Sequence, residues 1–186
     1  ENALAAVAAA RAAGVPLDAA ARALAGFGGV ARRFQTVGVA GGVEVIDDFA
    51  HNPDKIAAAL GAAHQRTAGR VLAVFQPHGF GPTRFLREAL VATFADALAP
   101  HDVLWLPEIY FAGGTVARDI SGADLVADVR ARGRDARFAA ARSALPAAIA
   151  AEARRGDLVL VMGARDPSLT SFCGEIVDAI EGGAGS

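Results

Sequence analysis

Short apolar runs, separated by longer segments with helical patterning, constrain the fold of this chain most strongly. The runs RVLAVF, DVLWL and DLVLVM, at residues 70–75, 102–106 and 157–162, are apolar at nearly every position rather than at every second one. Strands of this kind are buried on both faces, and in a parallel sheet helices provide the cover. The sequence therefore predicts an α/β fold that is Rossmann-like, with a mostly parallel sheet and helices on both faces.

The other elements of this domain follow from the same kind of patterning. Two β-branched runs flank Gly41-Gly42 and predict that the domain opens with a β-hairpin. Ser121 and Asp124 have the spacing of a helix-capping box, and Gly133 suits the end of that helix. A weaker strand is expected at residues 136–138. Helices are predicted over residues 53–64, 83–98, 121–132, 142–154 and 167–181.

The first 29 residues are rich in alanine and differ from the rest of the chain. Gly14-Val15-Pro16 interrupts the helical pattern, so we expect two helices here. Arg11 and Asp18 break the apolar run, and no basic segment precedes it. The segment therefore predicts neither a targeting signal nor a membrane insertion.

Charge and cysteine content narrow the classes of function. The formal net charge is −2, which gives no basic stripe for nucleic acid, so we expect no nucleic-acid partner. Cys173 is the single cysteine, which excludes an internal disulfide and fits a reducing, cytoplasmic location. Its simplest role is that of a small buried apolar side chain.

Polar and glycine-rich segments follow four of the predicted strands. Because the carboxyl ends of parallel strands meet at one edge of a sheet, and ligands bind there, we expect these segments to form one site. Glycine, histidine, aspartate, arginine and glutamate are concentrated in them. The segments are DDFAHNP (47–53), QPHGFGPTR (76–84), PEIYFAGG (107–114) and GARDPS (163–168).

Each polar residue of these segments also has a simpler interpretation. Asp48 has the position of a residue that caps the next helix or binds loop amides. His51 and His78, taken singly, are typical of hydrogen-bonded structural histidines, although their place on loops favours binding. Arg32-Arg33 is typical of a solvated charge pair. These alternatives remain open at the level of the sequence.

Two phosphate-binding motifs are absent from the sequence. Lys55 is the only lysine and follows Asp54, so no Gly-Lys-Ser/Thr P-loop exists in this chain. No G-x-G-x-x-G fingerprint follows any predicted strand either. If ATP is used, its phosphates must be bound by something other than a P-loop of this chain.

In combination, three segments resemble one known family. GVARRFQTVG…GGVEVIDDFAHNPDKIAAAL, VFQPHGFGPTR and GDLVLVMGARD are similar, in this order, to the C-terminal domain of the Mur ligases, and most of all to its alanine-adding and muropeptide-adding members. Residues 1–29 resemble the terminal helices of the central ATPase domain, and residues 30–186 the C-terminal, amino-acid-binding domain that closes over it. The resemblance implies that the central domain is truncated in this chain.

This resemblance implies a function for the longer protein. Mur ligases use ATP and Mg²⁺ to join an amino acid or peptide to a UDP-N-acetylmuramic acid-type acceptor, in peptidoglycan synthesis or recycling in the bacterial cytoplasm. Both cofactors would be held mainly by the central domain, so the present chain alone is expected to be inactive. The arginine of the closing domain would stabilise phosphoryl charge in a site from which water is excluded.

The resemblance also implies roles for individual residues. Arg33 and Asp48 match the family's catalytic, ATP-contacting arginine and aspartate, and Asn52 lies beside them as a further ATP ligand. Phe49, His51 and His78 match positions that line the amino-acid pocket. The arginines that bind the carboxylate of the incoming alanine in the family are replaced here by Gly79 and Pro82. Arg84 and Arg165 are the candidates to take their place.

Two other classes of function remain as alternatives. DDFAH and QPH contain two carboxylates and two imidazoles, which are suitable ligand types for zinc, manganese or iron in a metal-dependent α/β hydrolase. Their spacing matches no compact metal motif, and we predict no metal site. The chain could otherwise serve as a non-catalytic nucleotide-binding module.

Overall fold

The computed structural model describes residues 2–111 and 113–183, and it divides into two compact units. The first unit is Glu1–Ala31 and the second is Arg32–Ser186. The boundary falls two residues after the one predicted between residues 29 and 30. The assignment of the first unit to a central ATPase domain stays a prediction.

The first unit consists of two helices, as the sequence predicts. Helix α1 spans Asn2–Ala12 and helix α2 spans Leu17–Ala25, with Pro16 immediately before α2. Within α1 no residue is buried, and within α2 only Ala20 is buried. Two short helices that bury so little cannot be stabilised by each other alone.

The second unit is built around one six-stranded sheet. Its strands are β1 (Gln35–Ala40), β2 (Val43–Asp48), β3 (Val71–Gln76), β4 (Val103–Pro107), β5 (Asp135–Ala139) and β6 (Leu158–Gly163). Their order is β1-β2-β6-β3-β4-β5, and all neighbours are parallel except β1 and β2. The predicted fold is confirmed, including the antiparallel hairpin with which this unit opens.

The hairpin turn uses the conformational freedom of glycine. Gly41 and Gly42 have φ values of 58° and 80°, and a two-residue hairpin turn of type I′ needs positive φ at both positions. The antiparallel ladder runs from Ala40 opposite Val43 toward Gln35 opposite Asp47. The turn therefore aligns Asp47 with the start of the unit.

Helices cover both faces of the sheet. Alternate residues of β3 divide between two cores: Val71, Ala73 and Phe75 pack on one side, and Leu72 and Val74 on the other. The first side is covered by α3 (Pro53–Arg66), α4 (Phe80–Ala97) and α5 (Gly122–Ala131). The second side is covered by α6 (Leu145–Glu152) and α7 (Leu169–Gly183).

Several helix boundaries differ from the prediction. Helix α4 begins at Phe80 rather than at residue 83, because proline is tolerated in a first turn where backbone amides have no helical partner. A short 3₁₀ turn, Arg142–Ala144, occupies the predicted start of α6. The capping box of Ser121 and Asp124 is confirmed. None of the helices in the described ranges is long and apolar enough to cross a membrane.

Close backbone packing between β3 and β6 leads to a prediction about stability. A Cβ atom at Gly69 would lie 2.2 Å from the carbonyl oxygen of Gly156, whereas one at Gly61 in α3 would meet open space. Gly69→Ala should therefore lower the free energy of unfolding by roughly 1–3 kcal/mol. Gly61→Ala should raise it by about 0.5–1 kcal/mol, because alanine favours the helix.

Chemical denaturation of both variants beside the parent chain measures these changes. If Gly69→Ala were as stable as the parent, the close approach of the two backbones would be contradicted.

Candidate functional site

The carboxyl ends of β2, β6, β3 and β4 lie side by side at one edge of the sheet. The polar segments that follow these strands therefore meet. At this edge His78 forms an isolated parallel bridge with Tyr110, and the ring of His78 contacts the ring of His51. The prediction that the loops share one edge is confirmed.

An aromatic and imidazole cluster forms the centre of this edge. The ring centroids of Phe49 and His51 are 5.4 Å apart, and those of His51 and His78 are 5.8 Å apart, both edge-on. Nδ1 of His51 lies 2.8 Å from the carbonyl oxygen of Phe49. Because a carbonyl only accepts, Nδ1 carries a proton and donates it to this oxygen.

The environment of His78 favours its neutral form. Burial lowers the pKa of His78 below its ordinary value, and the neighbouring His51 and Arg165 lower it further. At pH 7 the ring is therefore uncharged, and it can accept a hydrogen bond or a proton.

A recess of about 340 Å³ opens beside His78. Its walls are mainly aromatic and aliphatic, with the guanidinium of Arg165 as a cationic group. The guanidinium carbon of Arg118 lies 4.2 Å from the centre of the Phe111 ring, which lines the recess. A small anionic ligand with an apolar part suits such a lining. The lining residues are His78, Gly79, Phe80, Gly81, Pro82, Tyr110, Phe111, Gly113, Val116 and Arg165.

The loop that carries Arg165 is fixed by buried polar contacts. Arg165 has φ 65°, an unfavourable left-handed conformation for a residue with a side chain. The buried carboxylate of Asp166 accepts from the amide of Ser168 at 2.9 Å and from the guanidinium of Arg142. Arg142 also donates to Oε1 of Gln76 at 3.1 Å, which ties the loop to the end of β3.

The charge of Asp166 is retained despite its burial. Burial opposes ionisation, but hydrogen bonds from Ser168 and Arg142 outweigh it and lower the pKa of this carboxyl. The loop is therefore held by an ionised group at neutral pH.

Arg32 is part of the edge, although the sequence suggested a solvated charge pair. Its Nε lies 3.2 Å from both carboxylate oxygens of Asp47, and its Nη2 donates to the carbonyl of Gly163 at 2.8 Å. Asp47 is fully buried and also accepts from the hydroxyl of Thr170 at 2.7 Å. The prediction of a solvated Arg32 was wrong because the partner carboxylate is 15 residues away in sequence.

Asp47 and Asp48 point to opposite faces of the sheet, as neighbours in a strand must. Asp48 accepts from the amides of Phe34 and Ala50, each at 2.7 Å. The simpler interpretation, that Asp48 binds loop amides, describes these contacts. A carboxylate has about four acceptor positions, so two remain for a ligand.

Asn52 lies close to Asp48 in sequence, and Arg33 lies close to it in space. The side chain of Asn52 accepts from the amide of Lys55 at 3.1 Å and caps helix α3. Arg33 is exposed and lines a recess of about 240 Å³ together with Phe34, Asp48 and Lys55. This recess lies on the α3 side of the edge.

Arg84 lies apart from the other predicted residues. Because α4 begins at Phe80, Arg84 is in the second turn of the helix, not in the first as the sequence suggested. Its guanidinium forms an ion pair with Asp119 and donates to the carbonyl of Ala117 at 3.2 Å. It lines a different recess, beside Phe85 and Arg87.

The alternative of a metal-dependent hydrolase has no geometric support. Across residues 2–111 and 113–183, no three His, Cys, Asp or Glu side chains lie close enough to hold a metal ion. The carboxylate of Asp47 is paired with Arg32, and that of Asp48 faces two backbone amides.

A family model and similar curated proteins point to the same group of enzymes. Residues 32–165 match the family described as "Mur ligase, glutamate ligase domain". The chain is 46% identical over 172 residues to UDP-N-acetylmuramate–L-alanine ligase of Caulobacter sp. (strain K31), which is 92% of this chain and 36% of that protein. It is 40% identical over 185 residues to the ligase of the same name from Rhizobium johnstonii, covering 99% of this chain and 38% of that protein.

A solved structure shows the same fold. The crystal structure of a UDP-N-acetylmuramate–alanine ligase from Thermotoga maritima superposes with a TM-score of 0.77 at 23% identity. The match covers 97% of this chain and 37% of that one. The chain thus spans little more than a third of the length of the relatives it matches. Through its glutamate ligase domain, the chain belongs to the Mur ligase family.

Proposed function

We propose that this chain is the C-terminal part of an ATP-dependent ligase that joins L-alanine to UDP-N-acetylmuramate in peptidoglycan synthesis. The observation that carries the proposal is the 46% identity over 92% of the chain to a ligase of that name. The cluster of Phe49, His51, His78 and Arg165 at one sheet edge supplies a site suited to an amino acid. In this proposal the enzyme uses ATP and a UDP-linked acceptor and therefore acts in the cytoplasm.

The phosphate-binding part of such an enzyme is expected outside this chain. The sequence contains no P-loop, and the described ranges contain no carboxylate cluster for Mg²⁺. ATP supplies the phosphoryl group that activates the acceptor carboxylate for attack by the amine. In this proposal residues 1–29 end the central ATPase domain, and residues 30–186 form the domain that closes over it.

The recess on the α3 side has a suitable donor set for part of ATP. Arg33 and Lys55 provide positive charge, and the remaining acceptor positions of Asp48 suit ribose hydroxyls. Phe34 provides an apolar wall. In this proposal Arg33 stabilises phosphoryl charge, while Asp48 and Asn52 hold the nucleotide and the local backbone.

The recess beside His78 suits the amino acid. The guanidinium of Arg165 can form a bidentate pair with the carboxylate of the amino acid, which would otherwise be costly to bury. The neutral ring of His78 can accept a proton from the ammonium group, which must lose one before it attacks. Phe49 and His51 hold the ring of His78 in place.

Ligation by the full-length protein is the direct test. With ATP, Mg²⁺ and UDP-N-acetylmuramate, phosphate release should depend on an added amino acid and show its highest kcat/KM with L-alanine, compared with glycine, L-serine and D-glutamate. Chromatography should detect the amide product. Phosphate release that ignores the amino acid, or a clear preference for another one, would contradict the proposal. The 186-residue chain alone should show no turnover.

Arg33→Ala in the full-length ligase should reduce kcat roughly a hundredfold, because a preorganised cation opposite developing phosphoryl charge is lost. Arg155→Ala is the matched control, since Arg155 is also exposed but adjoins the opposite end of β6. Steady-state kinetics at saturating substrates measure both. An unchanged kcat for Arg33→Ala, with folding intact, would remove Arg33 from the phosphate site.

Arg165→Gln should raise the KM for L-alanine by roughly tenfold or more, because the bidentate partner of the carboxylate is lost. Arg84→Gln should change it by less than about twofold, since Arg84 pairs with Asp119 in another recess. The KM for ATP serves as the internal control in both variants. The reverse order of effects would show that Arg84, rather than Arg165, binds the amino acid.

A further inference from the structure

Arg32 connects three separate parts of the site edge through one side chain. Its Nε contacts the carboxylate of Asp47 at the end of β2, and its Nη2 donates to the carbonyl of Gly163 at the end of β6. The guanidinium carbon also lies 5.1 Å from the centre of the Phe49 ring. A planar guanidinium can make these contacts simultaneously because its donors lie in one fork and its face is free to stack.

The backbone of Arg32 is fixed as firmly as its side chain. The carbonyl of Arg32 accepts from the amide of Phe49 at 2.8 Å, and its own amide donates to Oε1 of Gln35 at 2.9 Å. These bonds hold Arg32 at φ 57°, a conformation that a residue with a side chain seldom adopts. Phe49 is therefore bound to Arg32 through both its backbone and its ring.

The same side chain determines where the loop with Arg165 begins. Gly163 is buried and immediately precedes Ala164 and Arg165, and a Cβ atom at Gly163 would lie 2.8 Å from Leu169. The carbonyl that Arg32 holds is thus two residues before Arg165. A second contact reaches the carbonyl of Asp166 at 3.5 Å. Arg32 holds the loop on both sides of Arg165.

We propose that Arg32 is a positioning residue: through Asp47, Gly163 and Phe49 it sets the distance between Arg165 and the His51–His78 pair. This inference rests on the proposed function, in which these groups bind the carboxylate and ammonium of the amino acid. Arg32 itself does not reach the amino acid. It holds Arg165 and the His51–His78 pair at a fixed separation.

The variant Arg32→Lys distinguishes this positioning role from a role in which Arg32 only neutralises the charge of Asp47. A lysine ammonium can pair with Asp47, but it lacks the fork to reach Gly163 at the same time and the plane to stack on Phe49. Arg32→Lys in the full-length ligase should therefore raise the KM for L-alanine about tenfold and leave the KM for ATP within about twofold.

A double-mutant cycle tests whether Arg32 acts through Arg165. In an Arg165→Gln background, Arg32→Lys should raise the KM for L-alanine by less than about twofold, because the group it positions is already absent. Equal effects of Arg32→Lys in both backgrounds would overturn the proposal, as would an unchanged KM in the parent background. Arg66→Lys is the control, since Arg66 pairs with Glu44 at the other end of the same strand and should leave both constants unchanged.

Two further experiments test the same role of Arg32. If Arg32→Lys fails to fold, Asp47→Asn weakens the same contact with little change of volume and should move the KM for L-alanine in the same direction. In the 186-residue chain, NMR titration of His78 tests the inference even if ligase activity is absent. Arg165→Gln should raise the pKa of His78 in the parent chain. The same substitution should raise the pKa of His78 less in the Arg32→Lys variant. An equal rise in both backgrounds would contradict the proposal.

Discussion

The place of the last strand, β6, in the middle of the sheet is the constraint on which the site depends. β6 pairs with β2 through Glu44 to Asp48 on one side and with β3 through Val71 to Gln76 on the other. The Gly163–Ser168 loop, which follows β6, therefore begins between the segment with His51, which follows β2, and the segment with His78, which follows β3. Residues more than 100 positions apart in sequence meet because this one strand is inserted there.

The alternation of side chains along β2 places Asp47 and Asp48 on opposite faces of the sheet. Asp47 lies with Val45 on the face covered by α6 and α7, where it pairs with Arg32 and Thr170. Asp48 lies with Ile46 on the face covered by α3, where it binds the amides of Phe34 and Ala50. Two adjacent carboxylates thus organise an arginine-bound loop on one side and an exposed, cationic recess on the other.

Much of this organisation could be predicted from the sequence, because it depends on local patterning. Apolar runs identified β3, β4 and β6, Gly41-Gly42 identified the hairpin, and strand ends identified the site loops. The start of α4 could not be predicted from Pro82, since proline is compatible with any position of a first helical turn. Neither the partner of Arg32 nor that of Arg84 could be predicted, because Asp47 and Asp119 come close only after the sheet has formed. The sequence therefore indicated neither that Arg32 is bound at the site edge nor that Arg84 pairs with Asp119.

A crystal structure of the full-length protein with L-alanine, UDP-N-acetylmuramate and a non-hydrolysable ATP analogue would show where the amino acid binds and whether Arg32 holds the loop with Arg165. We expect the alanine carboxylate to lie within hydrogen-bonding distance of the Arg165 guanidinium and beside His78, with the Arg32 contacts to Asp47 and Gly163 intact. Alanine bound away from this edge, or an Arg32 side chain released from Gly163 in the ternary complex, would contradict it.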